Sequence, residues 1–137
     1  MPAILDLYSQ PDMDNGIGLT LDNAKEIFAK INTYPDYGVY VAETDGKKIV
    51  GTFALAVMDN IAHTGKKSGL IEDVVVSREY RRQGVGTQMM KSAVEICKAK
   101  SCYKAALSSN VNRENAHAFY ESLGFKIHGY SFLIELE

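Results

Sequence analysis

EYRRQGVGTQMM, residues 79–90, is the stretch whose reading decides the fold of this 137-residue chain. Two arginines and a glutamine run into Gly84 and Gly86, and an amphipathic pattern begins at once. Val85, Met89, Ala93, Ile96 and Cys97 recur at helical spacing, with Lys91, Glu95 and Lys98 on the wet side. The pattern predicts a helix over 85–99, with Lys91 and Glu95 paired at i, i+4. Just upstream, LIEDVVV reads as a strand from about residue 70. A strand, a glycine turn and a helix start make a cradle for phosphate. The first N–H groups of a helix lack intrahelical partners, and the dipole favours negative charge there. Glycines let a ligand approach the backbone with no Cβ in the way, and Arg81 and Arg82 add positive charge. Taken alone, the segment also fits a glycine turn rounding a corner beside a solvated charge run.

The rest of the chain supplies elements around this centre. AILDLYS reads as a first strand, and a helix follows from Leu21 with Thr20 as N-cap and Asp22 at the positive end of its dipole. Leu21, Ala24, Ile27, Phe28 and Ile31 share its apolar face, and Tyr34-Pro35 ends it. VYVAETDGKKIVGTFALAVM reads as a hairpin turning at Asp45-Gly46, which supply the positive φ of a tight turn. KAALS is a short strand. NRENAHAFYESLG is a third helix with Ala116, Phe119, Tyr120 and Leu123 on one face and Gly124 past its C-cap. GYSFLIEL closes the chain as a strand. The order β-α-β-β-β-α-β-α-β predicts an α/β fold with a mixed central sheet, parallel where helices connect the later strands.

Composition narrows the function. Hydrophobic residues make up 46% and charged residues 23%, a globular balance in a chain suited to a single domain spanning 1–137. Fifteen basic against seventeen acidic side chains leave a formal charge of -2, no footprint for nucleic acid or an anionic membrane. MPAILDLYSQPDMD lacks a basic n-region and carries Asp6 within its apolar run, so no signal peptide is expected. No stretch approaches the ~18 apolar residues of a membrane span. Cys97 and Cys102 fit no zinc pattern, and no metal is expected. Two reduced thiols suit a cytoplasmic protein.

The phosphate in question belongs to neither common nucleotide class. A dinucleotide fingerprint needs a third glycine where this chain has Met89, and no Walker A loop is present. EDVVVSREYRRQGVGTQMM instead resembles the Arg/Gln-x-x-Gly-x-Gly/Ala motif of the GCN5-related N-acetyltransferase (GNAT) superfamily, and AHAFYESLGF resembles that superfamily's later helix. The two stand in the expected order with one strand between them. The resemblance covers residues 48–127 strongly and the first forty or so more loosely.

The resemblance implies the GNAT acyl-CoA N-acyltransferase fold and acetyl-CoA as co-substrate. Backbone amides at Arg82, Gln83, Gly84, Val85, Gly86 and Thr87, with Arg81 beside them, would hold the coenzyme A pyrophosphate. The strand Val74-Val75-Val76 would pair through its backbone with the pantetheine arm, and an amide near Val76 would stabilise the oxyanion. Tyr120 would protonate the departing thiolate. The family helix carries Asn seven residues before that tyrosine, and this chain has Arg113 there. The pantetheine contact then falls to Asn112 or Asn115, or Arg113 reaches a phosphate instead. A homodimer is a family expectation, with GYSFLIEL as a contact.

Acetyl transfer to an amine needs an unprotonated amine, a polarised carbonyl and a leaving thiolate. Glu72 and Asp73 are adjacent on a strand and so point to opposite faces, Glu72 with Val74 and Val76. A carboxylate on this strand is a frequent general base in the superfamily, which nominates Glu72; some members place it where Leu70 stands here. The competing reading of Glu72 is an edge carboxylate in a surface ion pair. His63 lies in a loop and reads as solvated, His117 as a surface residue, and Tyr34, Tyr37 and Tyr40 as packing or pocket residues. IEDVVV and CYK resemble glucosamine-6-phosphate acetyltransferases, whereas SSNVNRENAHAFY resembles aminoalkylphosphonate acetyltransferases. The acceptor is shaped by loops around residues 10–38 and 59–69 and stays open. Two classes fit: an N-acetyltransferase acting on a small primary amine, and an acyl-CoA-binding sensor or partner module. Tyr120 and Glu72 favour the enzyme, because a binder needs neither acid nor base.

Overall fold

The computed structural model describes every residue except Asp12, Asn15 and Ile17. Two compact units, Met1–Ala106 and Leu107–Glu137, make up the chain. Among the described residues no helix is long and apolar enough to cross a membrane.

The first unit opens with helix α1 (Pro2–Tyr8), where a strand was expected. Pro2 sits in the first turn, where its fixed φ suits a helix and its missing N–H leaves no bond unmade. Ile4, Leu5 and Tyr8 fall on one helical face and border the same cavity. Helix α2 (Leu21–Ile31) starts as its sequence predicts: the Asn23 N–H donates to Thr20 Oγ1 at 3.2 Å, with Asp22 in the first turn.

Strands β1 (Tyr37–Glu43) and β2 (Ile49–Met58) form the expected antiparallel hairpin. Its turn is built differently. The Lys47 N–H donates to the Thr44 carbonyl at 2.8 Å, and the positive φ (63°) falls on Lys47 rather than on Asp45 or Gly46. A three-residue loop with a left-handed third position produces that pattern and the register irregularity beside Glu43. Strand β3 (Lys67–Val76) runs antiparallel to β2 and begins at Lys67 rather than near Leu70. Helix α3 (Val85–Ala99) then carries the chain to β4 (Cys102–Ala106), parallel to β3, in a sheet ordered β1-β2-β3-β4.

The core lies on both sides of β2. Thr52 and Ala54 face α1: Thr52 lies beside Tyr8, its hydroxyl donating to the Tyr40 carbonyl at 2.7 Å, and Ala54 shares the cavity with α1. Phe53 and Leu55 alternate to the other side, and both faces are covered, so residues 50–55 are all buried. Helix α3 buries Met89, Met90, Ala93 and Cys97. It approaches β3 closely because residue 69 is glycine; a Cβ there would overlap the Cys97 sulfur. On its wet face Glu95 pairs with Lys98 at 3.4 Å, not with Lys91 as expected. Positions i+3 and i−4 are equally in reach of Glu95, and both ends of the bridge stay exposed.

The second unit contains α4 (Glu114–Ser122). Gly124, at φ 96°, donates its N–H to the Glu121 carbonyl, and the Phe125 N–H donates to Tyr120, a Schellman closure. The closing strand expected at GYSFLIEL does not form. A strand needs a neighbour for its N–H and C=O groups, and this unit holds no second strand among the described residues. Tyr130, Phe132, Leu133, Ile134 and Leu136 are accordingly exposed.

Candidate active site

Strand β3 delivers its end to the loop before α3, and the two edges of that strand differ. Toward β4 it is paired only from Lys67 to Leu70. Beyond that point its outer edge has no strand partner among the described residues. The Ser77 N–H donates to the Val50 carbonyl at 2.8 Å, and antiparallel ladders alternate which residues face the neighbour. The backbone groups of Val74 and Val76 therefore point away from β2, to the open edge, while those of Val75 point toward β2. The Val76 carbonyl accepts from Arg81 Nε at 3.3 Å and Gln10 Nε2 at 3.3 Å. Gln10 Oε1 also accepts the Arg78 N–H at 3.1 Å, so it clamps the strand end on two sides. Nothing local in the sequence marks Gln10, which comes from a loop far away in the chain.

The turn itself has the form the sequence suggests. Gly84 is the N-cap of α3 in the left-handed region (φ 83°), and a Cβ built there meets nothing within 4 Å. Arg82 also takes a positive φ, 64°. Gln83 Nε2 donates to the Glu79 carbonyl at 3.1 Å, and Lys48, just ahead of β2, bridges to Glu79 at 3.4 Å and braces the loop. Helix α2 has a side-chain cap and an acid in its first turn; α3 has neither. Its first turn, with Val85, Gly86 and Thr87, is thus left for an external acceptor, with Arg81 and Arg82 preceding it.

The two carboxylates on β3 do not alternate as expected. Thr52 pairs with Val75 and Ala54 with Glu72, so β3 carries an extra residue in this interval. Asp73 takes it up with φ 54°, a β-bulge. Glu72 consequently shares a face with Val75 instead of with Val74 and Val76. Asp73, not Glu72, lines a cavity of about 140 Å³ with Tyr8 and Tyr37, beneath α1 and α2. Asp73 is exposed on its solvent side, yet partial desolvation against this wall, then the nearby Asp14 charge, pushes its carboxyl above the ordinary range. The Tyr37 phenol is raised by burial, then by Asp73 and Glu72. Asp73 was missed as a candidate, although Asp is among the few side chains that tolerate a left-handed backbone.

Tyr120, Asn112, Arg113 and Asn115 belong to the second unit. The Tyr120 ring packs between Phe119 (5.3 Å) and Phe125 (5.9 Å), the latter across the helix closure. Burial raises its phenol, partly offset by Arg113, so its proton is held firmly at neutral pH. Asn112, Arg113 and Asn115 line an open polar concavity of about 410 Å³ with Glu114 and Ala116. The Asn112 N–H donates to Asn110 Oδ1 at 2.9 Å, which shapes the entry to α4.

Other nominated residues have local roles. His63 stacks on Tyr103 at 4.7 Å, and a His117 ring nitrogen is 2.7 Å from the Asn110 carbonyl. Tyr34 packs edge-on to Tyr37, and Tyr40 stacks on Phe53. Among the described residues no three His, Cys, Asp or Glu side chains gather as a metal site.

Comparison with known proteins agrees with this architecture. A family model described as the acetyltransferase (GNAT) family matches residues 2–125. Over 81 residues, 59% of this chain and 53% of the relative, the sequence is 40% identical to a glucosamine 6-phosphate N-acetyltransferase of Trypanosoma brucei brucei. It is 30% identical to an Arabidopsis thaliana protein of the same name over 99 residues, 71% of this chain and 64% of that one. The matches thus span only about half to two thirds of these curated relatives. A solved, provisionally named acetyltransferase from Agrobacterium tumefaciens str. C58 superposes with a TM-score of 0.89 at 31% identity, covering 98% of this chain and 92% of that one.

Proposed function

Because the chain belongs to the GNAT acetyltransferase family, we propose that it is an acetyl-CoA-dependent N-acetyltransferase, transferring acetyl directly to a primary amine of a small molecule in a ternary complex. The observation that carries this reading is the uncapped start of α3 behind a left-handed Gly84, at the end of a bulged strand whose outer edge is open.

Each part of the chemistry has residues of the right kind. The amides of residues 82–87 and the Arg81 and Arg82 charges suit a pyrophosphate. The outward backbone of Val74 suits an amide of pantetheine, and the Val76 N–H, whose own carbonyl is held by Arg81 and Gln10, suits the thioester oxygen. There it would stabilise the charge that develops as the amine nitrogen attacks the carbonyl carbon. Glu72, exposed on β3, would draw the proton from the ammonium through water. The C–S bond then breaks as Tyr120 would give its proton to the thiolate, and the second proton of the attacking nitrogen would pass through water to the Tyr120 phenoxide, leaving acetyl on a neutral amide nitrogen. Arg113 with Asn112 and Asn115 would complete the coenzyme contacts. The whole chain, 1–137, would act as one catalytic domain.

The deciding measurement is thiol release from acetyl-CoA in the presence of a panel of primary amines, alongside calorimetric titration of acetyl-CoA. Amine-dependent release supports the reading. Tight acetyl-CoA binding with no release for any amine would make the protein a binding module instead, and absence of binding would remove the cradle assignment itself.

A further inference from the structure

The cavity beneath α1 and α2 has a chemistry that the cradle does not account for. Its walls come from five elements: Leu5 and Tyr8 of α1, Phe28 of α2, Tyr37 of β1 and Ala54 of β2 around Asp73 of β3. Among the described residues its lining side chains are apolar or aromatic apart from that one carboxylate; no Lys, Arg or His contributes, and Met1 at the wall carries the N-terminal ammonium, which is not among the charges acting on Asp73. At about 140 Å³ it is well below the ~300 Å³ where drug-sized pockets begin, so its guest is small.

We propose that this cavity is the acceptor subsite and takes a primary amine carrying an apolar alkyl or aryl group, its ammonium held against Asp73. The proposal rests on the acetyltransferase reading and names the substrate class of that site. Asp73 has no hydrogen-bond or ion-pair partner among the described residues, although it lies at an apolar wall. The bulge fixes it there: its left-handed backbone (φ 54°) turns the residue out of the alternation that places Glu72 beside Val75. Asp14 and Glu72 add negative charge around Asp73 and Tyr37, and the charge raises rather than relieves the cost of ionising these groups. A cation at Asp73 removes that cost. A phosphorylated sugar does the opposite, bringing an anion among carboxylates and hydroxyls against aliphatic walls that leave them unpaired. The acceptor named by the trypanosomal relative therefore does not suit this cavity. The aromatic faces of Tyr8 and Tyr37 suit an ammonium as well.

The test uses 2-phenylethylamine, hexylamine and glucosamine 6-phosphate as acceptors with acetyl-CoA, and 2-phenylethanol as the uncharged isostere. The expected kcat/KM for the apolar amines exceeds that for glucosamine 6-phosphate at least ~10-fold. Asp73→Asn keeps a residue that tolerates the left-handed backbone. It should raise the KM for 2-phenylethylamine ~10-fold or more, while leaving both the acetyl-CoA Kd and inhibition by 2-phenylethanol within about twofold. Ile27, 47% exposed at the cavity rim, gives a second variant whose fold is safe: Ile27→Lys should weaken 2-phenylethylamine similarly. Equal or better turnover of glucosamine 6-phosphate, or an unchanged amine KM in Asp73→Asn, overturns the acceptor proposal and leaves the acetyltransferase reading standing. Acetyl-CoA binding with no amine acetylated also overturns it, whereas failure to bind acetyl-CoA removes both.

Discussion

Replacing Gly84 separates backbone strain from ligand contact, because the structure assigns the residue two independent duties. Its φ of 83° lies where an L side chain is strained, and a Cβ built there meets nothing within 4 Å. Gly84→Ala therefore has no clash to resolve in the free protein, and its cost is conformational, about 1–2 kcal/mol. For a chain of this size that is a fall of roughly 4–8 °C in melting temperature. Asn tolerates the left-handed region, so Gly84→Asn should lose clearly less stability while still placing a side chain over the α3 N-terminus. If that open space receives the pyrophosphate, both variants should bind acetyl-CoA at least ~10-fold more weakly, about 1.4 kcal/mol. Calorimetric titration and thermal melts of wild type, Gly84→Ala and Gly84→Asn check this together. A Gly84→Asn protein with near-native melting and unchanged acetyl-CoA affinity would refute the reasoning, since the added side chain would then stand in nothing's way.

Tyr120→Phe keeps the ring between Phe119 and Phe125 and removes only the proton, so stopped-flow chemistry should slow at least ~10²-fold with the melting temperature nearly unchanged; a variant retaining a third or more of the rate makes Tyr120 a packing residue. Glu72→Gln should lose most activity at neutral pH and less at high pH, where the amine is already deprotonated; a pH-independent loss in the rate profile points to positioning instead. Partial desolvation and Asp14 raise the Asp73 carboxyl above its ordinary 3.8, so the folded state holds that proton more tightly than the unfolded chain. The associated stability is complete below that value and is lost as pH rises through the folded value, so Asp73→Asn should melt higher than wild type at pH 7 and show no advantage near pH 3. Gly69→Ala drives a methyl group into the Cys97 sulfur and should cost about 1–3 kcal/mol in denaturant melts, partly restored by Cys97→Ala; an undiminished midpoint in the single variant contradicts the close approach of α3 to β3.

The parts of this protein that its sequence determines by itself are those governed by a few consecutive residues. Helix α3 spans 85–99 as its 3.6-residue pattern predicts, Thr20 caps α2, and Gly124 closes α4 in the left-handed region. Gly84 before α3 belongs with them, since cap chemistry and apolar spacing act within one or two turns. Where pairing decides, tertiary structure takes over. Seven residues at the N-terminus carry too short a pattern to separate a one-sided helix from a strand, and the apolar cavity beneath α1 shows which face is satisfied. The bulge that parts Glu72 from Val74 and makes Asp73 a cavity residue exists only in register with β2. Gln10 reaches Val76 across 66 positions of sequence, a clamp that no local signal encodes. GYSFLIEL has strand-forming residues but no neighbouring strand within its unit. A strand's backbone bonds belong to its partner as much as to itself, so its existence and its register are properties of the pair.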